Sequence, residues 1–183
     1  MEKELINRVA NSGLITINLE EFYPREEILS IDLKDYLFRG LILREKDFRE
    51  AMSVHDWTQY EGKNLAVFCS ADAIIPTWAY QLVAVYAAPF AKMMMQGNTE
   101  QFVIQHYMQV LGKLDVEAYR DRKIVVKGCS EKPVPSAAYM ELTRILRPLA
   151  QSIMFGEPCS TVPLYKKEKK NCLLYTSPSP RDS

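Results

Sequence analysis

Apolar and polar residues alternate through LITINL (14–19) and ILSIDL (28–33), and that period of two predicts half-exposed strands. The turn signal Tyr23-Pro24 lies between them, so the pair is expected to form an antiparallel edge. LAVFCS (65–70) and IVVKGCS (124–130) are instead nearly unbroken β-rich runs of the length of short buried strands. Helical stretches precede them, EKDFREAMSVHDW at 45–57 and EQFVIQHYMQVLGKLD at 100–115, and a short helix is expected ahead of Asn11-Ser12-Gly13. After each buried run comes Pro-Thr or Pro-Ser, with Thr77 and Ser136 suited to cap a helix that runs to about Ala91 or Ala150 and is kinked or ended by Pro89 or Pro148. The helix after Pro135 is amphipathic, with Ala138, Leu142, Ile145 and Leu149 on one face and Glu141, Arg144 and Arg147 away from it. The one after Pro76 is apolar nearly all round, which predicts a more central place. MMM before Gly97 and SIMF before Gly156 then close two strand-helix-strand passages of the kind that make right-handed parallel crossovers.

These two passages resemble each other. Residues 76–97 laid over 135–156 without a gap share seven identities, namely Pro76/Pro135, Ala79/Ala138, Tyr80/Tyr139, Pro89/Pro148, Ala91/Ala150, Met95/Met154 and Gly97/Gly156. The match extends upstream through Cys69-Ser70 against Cys129-Ser130 and Asp56 against Asp115, and both aspartates are expected to cap turns. The expected fold is a single α/β domain over residues 1–170, with a mixed sheet built around an internal duplication of a helix-strand-helix-strand unit, about 44–97 and 103–156.

Residues 172–182, CLLYTSPSPRD, read as translated sequencing-adapter sequence, so 171–183 is set aside as a non-native, disordered tail and Cys172 with it. The nineteen uncharged residues 73–91 approach the length of a membrane span, but Pro76 and Pro89 and the charged matching helix argue against one. Lys plus Arg equals Asp plus Glu at 23 each, so no overall field recruits nucleic acid or an anionic membrane, and neither is expected as a partner. Charges at positions 2–4 with no apolar stretch behind them are unlike a secretory signal, and a reducing cytoplasm is the expected compartment.

Candidate chemistry rests on CSADAIIPTWAY, CSEKPVPSAAY and CSTVPLY, three loops of one type expected at strand carboxyl ends, where open α/β sheets bind ligands. Cys69, Cys129 and Cys159 form a candidate three-thiolate site for zinc or an iron–sulfur unit, with Asp72 or Glu157 as an added ligand. A thiol nucleophile at Cys129 or Cys69 near a helix start is the alternative, although His55 and His106 occupy helical stretches upstream and neither is an evident base. The third reading is structural or a protein-interaction module: small buried cysteines, with Ser and Pro serving turns. No phosphate-binding glycine loop, HExxH or G-x-S-x-G occurs.

The phrases ANSGLITINLEEFYP, LFRGLILREKDFR, HDWTQYEGK, CSADAIIPTWAY, VVKGC, PVPSAAY and SIMFGEPCSTVPLYKK resemble a bacterial family known as domain of unknown function 2480, over about residues 5–167. The resemblance implies no reaction, ligand or catalytic residue. It does imply, by gene neighbourhood, an accessory role beside the sulfur-mobilisation iron–sulfur assembly system and a protein partner there, which favours the metal-binding reading of the thiolates.

Overall fold

Four side chains of one type punctuate the fold. Asn18, Asp32, Asp56 and Asp115 each accept a hydrogen bond from the backbone amide two residues on, Glu20, Lys34, Thr58 and Glu117, at 3.0–3.2 Å, and each starts a one-turn 3-10 helix. The short carboxamide or carboxylate reaches its own backbone and stops the preceding segment, as expected for Asp56 and Asp115. The structure is a computed structural model that describes residues 13–128 and 131–168. The expected N-terminal helix, Cys129 and the adapter-like tail lie outside the described residues.

In chain order the elements are β1 (Leu14–Asn18), β2 (Ile28–Asp32), β3 (Leu37–Phe38), β4 (Ile42–Leu43), α1 (Glu45–Val54), β5 (Asn64–Phe68), α2 (Thr77–Ala87), β6 (Met93–Gln96), α3 (Thr99–Leu111), β7 (Lys123–Lys127), α4 (Ser136–Leu146), β8 (Ser152–Glu157) and β9 (Ser160–Lys166). The α/β class and the parallel crossovers stand: β5 pairs parallel with β6 and β7 with β8. The two matching segments carry the same succession of helix, 3-10 turn, strand, helix and strand.

The expected single mixed sheet is divided. One sheet has the order β2-β5-β6, all parallel; the other is β1-β7-β8-β9, parallel except for the last pair; β3 and β4 form a small antiparallel pair. The expected antiparallel edge from LITINL and ILSIDL is also corrected. β1 runs parallel to β7 and β2 parallel to β5, in different sheets. A hairpin needs a tight reversal, whereas residues 19–27 begin with a 3-10 turn and carry the chain from one sheet to the other, so β2 does not lie beside β1.

Helix α3 lies between the two sheets. Phe102 packs on Ala66 and Met95 of the first sheet, while Val103, Tyr107 and Leu111 pack on Ile17, Ile124, Val126 and Ile153 of the second. A helix with apolar residues on two sides is buried on both. Tyr107 also donates a buried 2.8 Å hydrogen bond to the Leu19 carbonyl, and burial pushes the Tyr107 phenol well above its ordinary value. The other face of the first sheet is covered by α1 and α2, with Phe48, Met52, Leu65, Val67, Val83 and Ala87 in one cluster.

The central place expected for α2 therefore belongs to α3. Helix α2 buries Ala79, Val83 and Ala87, one row at i, i+4, i+8, and leaves Val85 exposed. It spans 11 residues, and no described helix is long and apolar enough to cross a membrane. Helices α2 and α4 stop at Ala87 and Leu146, two residues before Pro89 and Pro148 and earlier than expected. Their N-caps are Pro76 and Pro135, with Thr77 and Ser136 already helical and no side-chain cap bond made.

Candidate functional site

Both sheets present their strand carboxyl ends on one side. α3 begins beside the end of β6, passes Met95 with Phe102, and brings His106 and Val110 to a cavity shared with Asn64 and Met93 at the amino ends of β5 and β6. It is thus antiparallel to the first sheet. At its start, Thr99, Glu100, Val103 and Ile104 face Pro133–Ala137, which lead from β7 into α4, across a groove of about 670 Å³ that Tyr23 also lines. The loop after β7 therefore flanks the start of α3.

The loop after β5 is tied down by Asp32. The Ser70 amide and hydroxyl donate to the two Asp32 carboxylate oxygens at 3.0 and 2.6 Å, and the Lys34 amide donates at 3.0 Å. Burial would raise the Asp32 carboxyl, but these donors outweigh it and hold the group below the usual carboxylate range. In the second half Glu20 does comparable work, accepting from the Glu131 and Lys132 amides at 2.8 and 3.3 Å, and the Tyr139 hydroxyl donates to the Gly128 carbonyl. Gly128 has φ +137°, and a Cβ there would meet Leu19 at 3.0 Å, so only glycine lets β7 end against the turn after β1.

Of the sequence candidates, Cys69 follows β5, is half-buried against the first core and directs its thiol to the Ala71 carbonyl at 3.6 Å. Cys159 is exposed in the turn between β8 and β9, in the other sheet. The loop CSTVPLY is thus not a third strand-loop-helix junction: the chain reverses through Pro158-Cys159 into an antiparallel edge strand, with Glu157 paired to Ser160 and Gly156, at φ +116°, paired to Thr161. Asp72 is exposed, and Glu157 lies 3.2 Å from the Lys127 ammonium. No group of three or more His, Cys, Asp and Glu side chains able to hold a metal is found among the described residues.

Both histidines are engaged away from these loops. His106 Nε2 lies 3.0 Å from the Phe22 carbonyl. His55 Nε2 lies 2.9 Å from the Tyr60 hydroxyl, with the two rings stacked 5.7 Å apart, and Trp57 stacks in turn on Tyr86. Burial pulls the His55 imidazole below its ordinary 6.5, only partly opposed by Asp56, and pushes the Tyr60 phenol up to about 12. The folded chain thus binds the His55 proton less readily than the unfolded chain. Stability is accordingly expected to fall as pH drops below about 6.5 toward the lower folded value, and to be unaffected by this group above it. Urea midpoints measured from pH 7 to 5 should show that slope, reduced in His55→Gln; equal slopes in the two proteins would rule out His55 as the cause.

A surface that no sequence motif marks lies between α4 and β9. Phe155 and Val162 are paired across β8 and β9 and so share a face, and the Phe155 ring meets Tyr139 of α4 edge-on at 5.7 Å. Beside them Tyr139, Met140, Thr143, Phe155 and Leu164 line an open groove of about 510 Å³. Met140 is 74% exposed, Val162 58% and Leu164 54%. Its signals in the sequence are Met140, off the apolar face of the amphipathic helix, and the alternation of Val162 and Leu164 around Pro163, but their adjacency needs the hairpin.

Among known families, one described as "Protein of unknown function (DUF2480)" matches residues 3–167. No curated protein and no solved structure matches.

Proposed function

We propose that this chain, which belongs to the DUF2480 family, is an accessory protein that acts by docking on another protein rather than by catalysis. The observation that carries the reading is the apolar surface on α4, β8 and β9, where Met140, Phe155 and Leu164 line one groove and Val162 is exposed beside Phe155. Isolated exposed apolar residues are ordinary on any surface, whereas a contiguous set beside a groove marks an interaction site. The surroundings of the cysteines support this choice over thiol chemistry, since Cys69 is turned to a backbone carbonyl and both histidines have other partners. A component of iron–sulfur assembly is the partner that the family resemblance suggests.

The test is a photo-crosslinking amino acid placed at position 140, and for comparison at the exposed Arg49 on α1. A discrete adduct is expected from position 140 alone. Once its second protein is identified by mass spectrometry and purified, the two are expected to bind, and Leu164→Glu to abolish binding without changing the thermal midpoint. No adduct, or the same adducts from both positions, would defeat docking. The same protein purified anaerobically decides the alternative: stoichiometric zinc, or iron with acid-labile sulfide, lost in Cys69→Ser, Cys129→Ser and Cys159→Ser, would replace docking with metal binding.

A further inference from the structure

We infer that the groove beside α4 receives an acidic amphipathic helix of the partner, an inference that rests on the docking reading and names its chemistry. The sheet itself argues for a helix. On the face where Ile124, Val126 and Ile153 lie, α3 and α4 form the covering layer, and β9 widens the sheet beyond it. Phe155 and Val162 continue that face, yet Val162 stays 58% exposed because no described helix lies over the last pair of strands. α/β layers are completed by helices laid on the sheet, and a segment as long as the 11-residue α4, about 16 Å, would lie alongside it. Its apolar positions at i, i+3, i+4 and i+7 would meet Met140, Phe155 and Leu164. Addition of an extended strand to β9 fits less well, since Pro163 interrupts the donors of that edge strand.

Charge decides the sign. The groove and its continuation past Met140 are lined by Arg144 and Arg147 and by no carboxylate. Glu141, the nearest acidic residue on α4, is already held by Arg144 through two hydrogen bonds of 2.6 and 2.8 Å. Arg147 has its guanidinium 4.0 Å over the Tyr165 ring, which fixes the cation at the rim. Since Arg144 and Glu141 offset each other, Arg147 is the uncompensated charge at the rim; a helix carrying Glu or Asp beside its apolar stripe would pair with it, and a basic one would be repelled.

The probes are two labelled synthetic peptides of about 16 residues with the same Leu and Phe stripe, one with Glu and one with Lys on the flanks, together with vesicles of phosphatidylglycerol and phosphatidylcholine in equal parts. By fluorescence anisotropy the Glu peptide is expected to bind about tenfold or more tightly than the Lys peptide, and to weaken as salt is raised. Arg147→Glu should reduce that affinity about tenfold, and Met140→Glu should abolish it. Both positions are exposed, and unchanged circular dichroism and thermal midpoints will show that the variants fold. Equal binding of the two peptides, both blocked by Met140→Glu, would sink the acidic partner and leave docking intact. Binding to the vesicles in preference to the Glu peptide would replace the helix with a lipid surface. Binding of neither peptide, with the position-140 adduct still formed, would overturn the helix alone; absence of that adduct as well would overturn docking too.

Discussion

Phe102→Ala is expected to lower the unfolding free energy by about 3–5 kcal/mol, the usual range for deleting a fully buried aromatic ring. Phe102 has no exposed surface and is the residue of α3 that meets Ala66 and Met95, with Ile28 and Met93 packed around them. Its loss leaves a cavity between the first sheet and α3, while Val103, Tyr107 and Leu111 keep their contacts with the second. Destabilisation should therefore be accompanied by partial uncoupling. Trp57 and Trp78 both belong to the first core, so their fluorescence follows that half, whereas far-ultraviolet circular dichroism follows the whole. In urea the two signals should coincide for the unaltered protein and separate in Phe102→Ala, with fluorescence changing first. A cost below about 1 kcal/mol, well short of that range, with coincident transitions, would show that α3 does not join the halves.

The second large effect is expected at Gly156. Its φ of +116° is strained for any L side chain, and a Cβ there would stand 2.6 Å from the Ser160 carbonyl oxygen, a backbone atom that cannot swing aside. Gly156→Ala should cost about 1–3 kcal/mol, the range for a residue forced into such a conformation, plus whatever the hairpin loses in giving way. The damage should be local. Amide hydrogen exchange is expected to speed up at Val162 and Leu164 and to remain slow at Ile124 and Leu142, which are fully buried in the second core. Gly40→Ala is the control, because Gly40 has φ +71° with nothing within 4 Å of a built Cβ. If Gly40→Ala costs as much as Gly156→Ala, the close approach to Ser160 is not what matters.

Local signals carried the reading of this chain a long way. Period-two alternation located β1 and β2, unbroken apolar runs located β5 and β7, and Pro76 and Pro135 marked the starts of α2 and α4 within one residue. Asp56 and Asp115 were legible as turn caps because an Asx side chain acts on a backbone amide only two residues away. The family phrases spread from Ala10 to Lys167 matched as well, and the family's extent along the chain, residues 3–167, agrees with them.

What went astray depended on partners distant in sequence. Leu14 of β1 pairs with Lys123, more than a hundred residues on, and nothing in LITINL distinguishes a parallel partner from an antiparallel one. The apolar surround of α2 points to a central place, but hydrophobicity measures willingness to be buried and not the number of neighbours on offer; α3, with a more mixed composition, sits between two sheets. The cysteine loops are alike in wording, yet the third reverses through Pro158-Cys159 so that β9 pairs back on β8, and Cys159 is exposed in that turn.

Secondary structure, turn caps and family membership were thus open to inspection residue by residue, since each follows from interactions within a few positions of the chain. The division into two sheets, the side on which their carboxyl ends gather, and the groove that Met140 forms with Phe155 and Leu164 depend on how helices and strands far apart in the chain are packed. Packing brings α4 and β9 together across the 13 residues of intervening chain, 147–159, and the exposed surface that remains is whatever that packing leaves uncovered.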